Sequence, residues 1–599
     1  WTTSASCSRA SRSSFRRCLR RVAPRHDPGR DAAPNGVPGH AGQRTVALSP
    51  LRHHGDVLTV TVKVAGQAMQ ADVGLVSVDV RRELNRLPMA ILVLQDGDLA
   101  EATFPVSDSG RFKPGAEVEI LARYGDGQDK SLFKGLVVRH GMEAGEMSRG
   151  VPLLRVECRD KAVALTRPRR SRVSADAKDS DVFTTLIRAA GLQGRVDNTQ
   201  VVHPSLVQYD CSDWDWLVTR AEALGLVVAV GDGQVRITRP EASAQPVLTV
   251  TLGMDILDLE FDCDALGQEA GVDATSWDPA DLKSAGAQGT KPAAPSQGAL
   301  RGDKAAADLG FAKSTRVFAG PLLAAEAKGW ATAEAARSQW GLLRGRVRVQ
   351  GVGGIHPLDV VEIKGVSKAF AGRALVTGLC HRMADGNWTT DLQFGLATQP
   401  HHRRPDIASA PAAGLLPPAS ALQIGIVEAV AEDPGNQHRI QVKVPALGDA
   451  AAGLWARLAS PDAGKDRGLC FRPEPGDEVV LGFFNDDPRQ PVVLGALFGS
   501  KNAPPAAVYD SSDKNKLRGL VTRSGLSLLM DDDKKQLSLQ TPSGAKLLLD
   551  DDGEAILISD KHGNKITLDK DGIRITSAKD FKVDASGNAG IQGSKIDLN

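Results

Sequence analysis

The sequence predicts a mainly β protein with one small α+β insert. Three observations carry that expectation. Short runs with period-two alternation recur along most of the 599 residues. Only between about 174 and 240 do two stretches take a capped helical period within mixed text. From 524 onward the chain repeats itself, with glycines at 525, 544 and 563. The composition agrees: 61 glycines and few aromatics (4%) favour sheets and turns over large helical bundles.

Residues 1–56 are basic and Pro-rich in places, without a hydrophobic period, and read as a disordered or misassigned extension. A first β-barrel module is expected over 57–173. "VLTVTVKVAGQAM" opens it, and "FKPGAEVEILARYGDGQDKSLFKGLVVRHG" is a turn, a strand, a second turn and a strand. The insert follows over 174–240. In "DSDVFTTLIRAAGL", Val182, Phe183, Leu186 and Ile187 share a helical face, with Asp179 or Ser180 as cap. In "CSDWDWLVTRAEALGL", Ser212 or Asp213 caps and Trp216, Leu217, Ala221 and Leu224 make the apolar stripe. A second β-barrel module is expected over 241–400, interrupted by an Ala/Gly/Pro-rich excursion at about 279–300 and by one Ala-rich helix, "LLAAEAKGWATAEAARSQWGLL".

Residues 401–420 are a linker by composition. Over 421–500, five short strands in a compact stretch fit a small closed barrel of the OB type. A connector over 501–523 leads to the repeats at 524–599. Three units align without a gap: "SGLSLLMDDDKKQLSLQTP", "SGAKLLLDDDGEAILISDK" and "HGNKITLDKDGIRITSAKD". Leu528, Leu547 and Ile566 correspond, as do Met530, Leu549 and Leu568, and Leu537, Ile556 and Ile575. These nine residues are the expected inner face of the repeat array.

The acid cluster "LLLDDDGEAILISD" invites a calcium reading, but Asp531, Asp550 and Asp569 recur with the repeat and separate two strand segments. The EF-hand spacing fails, because no Glu follows Gly553 at the required distance. Turn residues are the expectation, with Gly553 and Gly572 supplying positive φ. A single array is too thin to enclose a core and leaves edges unpaired. Three chains wrapped around one axis would close it into a prism with the apolar row inside. "FKVDASGNAGIQGSKIDLN" continues the alternation with smaller residues, as a narrowing end.

Candidates for chemistry read as structural. Asp213 and Asp215 flank Trp214 at a helix start, where carboxylates suit the macrodipole. Cys380 and His381 fall in a strand and point to opposite faces. His53–His54 and His401–His402 lie in loops without further ligands and read as surface histidines. Trp455, Phe471, Phe483 and Phe484 could stack bases on an OB barrel, but Asp477, Glu478, Asp486 and Asp487 accompany them. The formal net charge of +1 offers no bulk attraction to nucleic acid or membrane. Seven scattered cysteines without CxxC point to reduced, cytosolic synthesis. No catalytic, cofactor-binding or metal site is assigned.

The order of modules, with "FKPGAEVEILARY", "VQYDCSDWDWLVTRAEALGLVV", "GNWTTDLQFGL", "LWARLASPDAG" followed by "PEPGDEVVLGFFNDDPRQPVVLGALF", and "HGNKITLDKDGIRITS", resembles the VgrG-type spikes of contractile injection systems. These systems include type VI secretion, extracellular phage-tail-like particles and phage tails. The resemblance covers about 57–599. It implies two hub β-barrel modules, an OB-fold barrel and a C-terminal intertwined trimeric β-helix needle. It implies a homotrimer that adapts a hexameric tube to a membrane-puncturing needle, not an enzyme. The nine repeat residues would form the trimer interface of the needle core.

Implied partners are a PAAR-type tip protein docked near Ile596, Asp597, Leu598 and Asn599, inner tube and baseplate proteins at the hub, effector cargo, and a target membrane touched mechanically. Synthesis in the bacterial cytoplasm and release or delivery in a contractile particle follow. The compact hub and the repeat look closer to the extracellular particles. Gly499–Leu520 leaves no room for a lysozyme domain, and no His-x-His supplies a tip metal site; the last histidine is His562. The alternatives are an OB-fold nucleic-acid-binding protein, or a phage tail spike with cell-wall-degrading activity.

Overall fold

A computed structural model describes residues 57–70, 73–144, 151–291, 297–448 and 450–597. The extension over 1–56, with His53 and His54, and the terminal Leu598 and Asn599 lie outside the described residues. The chain divides into two compact units, one to Ile407 and one from Ala408.

The first unit is built on a 13-stranded sheet. Leu58–Val64, Leu75–Glu83, Met89–Gln95, Glu117–Tyr124, Lys130–Glu143 and Leu153–Arg159 enter it from the first half. Ile256–Cys263, Leu343–Gln350, Gly372–Ala384 and Asn387–Phe394 enter it from the second. The strands of the two expected modules thus share one sheet. Leu75–Glu83 pairs with Met89–Gln95 on one side and with Gly372–Ala384 on the other, both antiparallel. Alternation marks a strand and its buried face, but not which distant strand fills its free edge.

Each half keeps an apolar core, and the first takes in residues from across the join. Val78, Val80, Leu92, Leu94, Ile120, Phe133 and Val156 are buried together with Met383 and Trp388 from the second half. Trp388 stacks on Tyr124 with ring centres 5.3 Å apart, a contact worth about 0.5–1.5 kcal/mol beyond its buried area. Gly351 makes the space: a Cβ there would lie 2.0 Å from the indole. Val347, Val349, Val361, Val376, Leu392 and Phe394 form the second core.

The insert carries helices Asp179–Ala189 and Asp213–Ala223. Val182, Phe183, Leu186 and Ile187 are buried, as are Trp216, Leu217 and Ala221. Leu224 lies just past the last helical residue and is only half-buried, while Trp214 and Val218 complete the stripe. Ser212 caps the second helix, accepting from the Asp215 amide. The first helix departs from expectation: Lys178 holds the N-cap position and no side chain caps it. The Asp179 carboxylate is fully buried and turned toward Arg220 and His203 instead. In the second half, helix Ala324–Trp340 packs Ala327 and Ala331 on Val272 and Ala274. The Ala/Gly/Pro-rich excursion contributes the strand Lys283–Gln288 to a three-stranded sheet there.

The second unit starts with a closed five-stranded barrel of Gln423–Ala429, Ile440–Lys443, Leu454–Leu458, Glu478–Phe483 and Pro491–Ala496. Val427, Ile440, Val442, Ala456, Val479, Leu481 and Val493 fill it. A seven-stranded antiparallel meander follows, from Leu517–Val521 to Gly572–Thr576. Among the described residues no strand lies beyond Thr576, although the alternation runs on. Alternation needs a neighbouring ladder to become a strand, and the single chain offers none there.

Candidate assembly surface

The meander is one layer thick, and its register assigns every side chain to a face. Residues opposite each other in a ladder share a face, as do residues two apart in a strand. One row runs Leu528, Leu539, Leu547, Ile558, Ile566 and Ile575. The next runs Met530, Leu537, Leu549, Ile556, Leu568 and Ile573. All nine residues singled out in the repeats therefore lie on one face. Leu539, Ile558 and Ile573 complete it and were missed.

One assignment within the repeat is corrected. Ile575 corresponds to Ile556 in the 19-residue alignment, yet it stands in the other row. The cause is turn length. Asp531 faces Gln536 and Asp550 faces Ala555, but Asp569 faces Gly572 across a turn two residues shorter. The last strand is thus advanced by two residues, and Ile573 takes the place alignment gives to Ile575.

The turns account for the acids. Asp531 Oδ1 accepts from the amides of Asp533 and Lys534, both at 3.1 Å. Asp550 accepts from the Gly553 amide and from Gln536 Nε2, both at 2.9 Å. Asp569 accepts from the Asp571 amide at 2.9 Å. Gly572 has φ +118°, but Gly553 does not take positive φ; Glu554 does, at 47°, as Lys535 does in the preceding turn at 48°. In these four-residue turns the left-handed position is the last one, not the third, where Gly553 was expected to take it. At the other end of each unit Gly525, Gly544 and Gly563 all take positive φ, and this fixes the glycine period.

The apolar face is open in the single chain. Met530, Leu537, Leu539, Leu549, Ile556, Ile558, Ile566, Ile573 and Ile575 are all exposed, Ile573 at 72%. Near the end of the chain, Phe581, Val583, Ile591 and Ile596 are exposed too. Asp597 pairs with Lys595 at 2.9 Å.

The candidates for chemistry are held in structural contacts. Asp213 accepts from Arg172 at 2.7 Å and from Gln208 at 2.9 Å. Asp215 faces His401 Nε2 at 2.9 Å, and the His401 amide donates to Glu222 at 2.7 Å. His401 is therefore buried, not a surface histidine. Burial works against the Asp215 carboxylate, but the His401 and Ser212 hydrogen bonds hold it below its ordinary range. His381 is fully buried against Thr390 and Trp388, and burial lowers it to about 3. Burial pushes the Cys158 thiol up to about 12. On the barrel, Phe471 and Phe484 are exposed, with the Arg457 guanidinium 5.9 Å from the Phe484 ring centre. Among the described residues no three His, Cys, Asp or Glu side chains are grouped to hold a metal ion. No described helix is long and apolar enough to cross a membrane.

Comparison with known families matches this layout. Residues 54–385, more than half of the chain, match the Alg8 N-terminal domain. Residues 423–498 match the type VI secretion system/phage-baseplate injector OB domain, and 536–599 match the phage baseplate V C-terminal trimerisation domain. The chain belongs to the VgrG-type spikes, with an Alg8 N-terminal domain as its first half.

Sequence relatives are VgrG-type as well. The spike protein VgrG3 of Vibrio cholerae is 32% identical over 87 residues, 14% of this chain and 9% of that protein. The spike protein VgrG5 of Pseudomonas aeruginosa is 33% identical over 138 residues, 22% of this chain and 17% of that protein. The matches thus span less than a fifth of either relative. A solved 43 kDa tail protein of prophage MuSo2 from Shewanella oneidensis is 13% identical over 56% of this chain and 98% of its own, with a TM-score of 0.43. In this VgrG-type spike the five barrel strands fall inside the matched OB stretch. All of the apolar face except Leu528 and Met530 falls inside the matched trimerisation domain.

Proposed function

We propose that three copies of this chain assemble through the apolar face of the meander into the spike of a contractile injection machine. The observation that carries this reading is the twelve-residue apolar face, left open on one side of a single-layer sheet. Contiguous apolar surface of that kind marks an interaction site, and it coincides with the matched trimerisation domain. Three such faces turned inward exclude water from each other and give the sheet the second layer it lacks. The resulting prism is the intertwined β-helix needle.

The first unit then serves as the hub toward inner tube and baseplate, and the OB barrel as collar. The needle end near Ile596 and Asp597 receives a PAAR-type tip protein, and effectors travel on the same assembly. The particle is made in the bacterial cytoplasm and released or delivered. Its work is mechanical: sheath thrust is concentrated on a narrow needle that punctures the target membrane. Mass measurement of the purified chain by light scattering tests the core of this. A monodisperse monomer at micromolar concentration would remove it.

A further inference from the structure

Three helices and one strand of the first unit converge on His203, which is buried and far in sequence from the face described above. It stands on the strand Val202–Ser212. His203 Nε2 lies 3.0 Å from Asp179 Oδ2, at the start of helix Asp179–Ala189. His203 Nδ1 lies 3.5 Å from Glu326 Oε2, in the first turn of helix Ala324–Trp340. Arg220, on helix Asp213–Ala223, donates from Nε to Asp179 Oδ1 at 2.8 Å and from Nη2 to Asp179 Oδ2 at 3.1 Å. Both its terminal nitrogens donate to Glu326 Oε1 at 3.3 Å. Its Nη2 is also 3.5 Å from His203 Nε2. Across the ladder His203 faces Ala177, which carries no charge.

An ionised Asp179 can only accept, so the Nε2 side must donate to it. The Nδ1 side then faces a second carboxylate. A lone pair there would set two acceptors against each other; an N–H would make a second ion pair. Without that proton the cluster holds two carboxylates and one guanidinium, a net charge of −1. With it the cluster is neutral. Removing one partner from a buried ionic group leaves charge uncompensated, which is strongly unfavourable.

We propose that His203 is a proton-operated clamp between the α+β insert and helix Ala324–Trp340. The imidazolium fastens the insert to that helix through Asp179 and Glu326 together; the neutral ring leaves Glu326 facing a lone pair and loosens the joint. The fastened state binds one more proton than the loosened one. Lowering pH therefore tightens the joint, and raising pH releases it.

The test is hydrogen exchange of the full-length protein, read on peptides from 324–340 and corrected for intrinsic rates. On going from about pH 8 to about pH 6, exchange there slows by at least about threefold in the wild type. His203→Gln, which cannot carry the second proton, removes that response. Glu326→Gln keeps the histidine and removes only the carboxylate it clamps; it removes the response too, and stands alone if His203→Gln does not fold. No pH response in the wild type, or a full response in Glu326→Gln, overturns the proposal.

Discussion

Ile556 stands fourth of six in its row and is 36% exposed in the single chain, the lowest exposure recorded for the large apolar residues of that row that stay open. Ile556→Asp would set three carboxylates together in the proposed prism. Burying even one unpaired charge costs several kcal/mol, and like charges add to it. The expected outcome is loss of the trimer by light scattering with the first unit still folded. Glu554→Lys is the control: Glu554 lies in an exposed turn, and the swap is expected to cost within about ±0.5 kcal/mol. Equal assembly of both variants would show that the face is wrongly assigned. A second outcome concerns His381. Its folded pKa is depressed to about 3, so the unfolded chain takes up a proton that the folded chain refuses. Stability from this site is full above the ordinary histidine pKa of about 6.5 and falls as pH drops below it. His381→Asn should flatten the decline of melting temperature between about pH 6 and 4; an unchanged slope would refute the assignment. Contacts of this kind were the least legible part of the sequence. His203 and His401 carry no local mark, because their partners Asp179, Asp215 and Glu326 come from other elements. Asp179 even reads as a cap until its carboxylate is seen turned inward.

At the scale of elements, the strands and helices were legible because each has its own period. The caps and turns were half legible. Ser212 and the Asp turns follow from side-chain chemistry that acts within three residues. The last strand did not, because turn length decides its register, and Lys570-Asp571 looks like the earlier turns while spanning two residues fewer. Replacing Asp550, Asp551 and Asp552 together by Asn tests the turn reading. Asn accepts the Gly553 amide as Asp does. The Lys535–Asp552 pair that is lost is exposed and screened by solvent, so it matters little. Assembly should persist, and calcium should not shift the melting temperature. A melting temperature that falls on adding a chelator would instead establish a metal in the turns.

For the whole molecule, the expected mass in solution is three times the 63.3 kDa of the chain, and it should persist in mild detergent. A chain ending at Phe498 keeps the barrel and loses the meander, so it should run as a monomer. A trimer of that shortened chain would place the assembly contacts elsewhere. The five-stranded barrel and the repeats were readable from composition and period. The sharing of one sheet by the two halves of the first unit was not: it rests on the free edge of Leu75–Glu83, and no pattern in that strand names Gly372–Ala384 as its partner.

That pairing sets a clock for biosynthesis. Glu83 meets Gly378, so the earlier strand leaves the ribosome 295 residues before its second neighbour does. At about 5–20 residues per second the wait is roughly 15–60 seconds. Throughout it, one edge of the nascent sheet is bare and open to strands of other nascent chains. Asp79, Arg81, Arg82 and Glu83 line that edge, and charges so placed hold off wrong strands until the right one has been made.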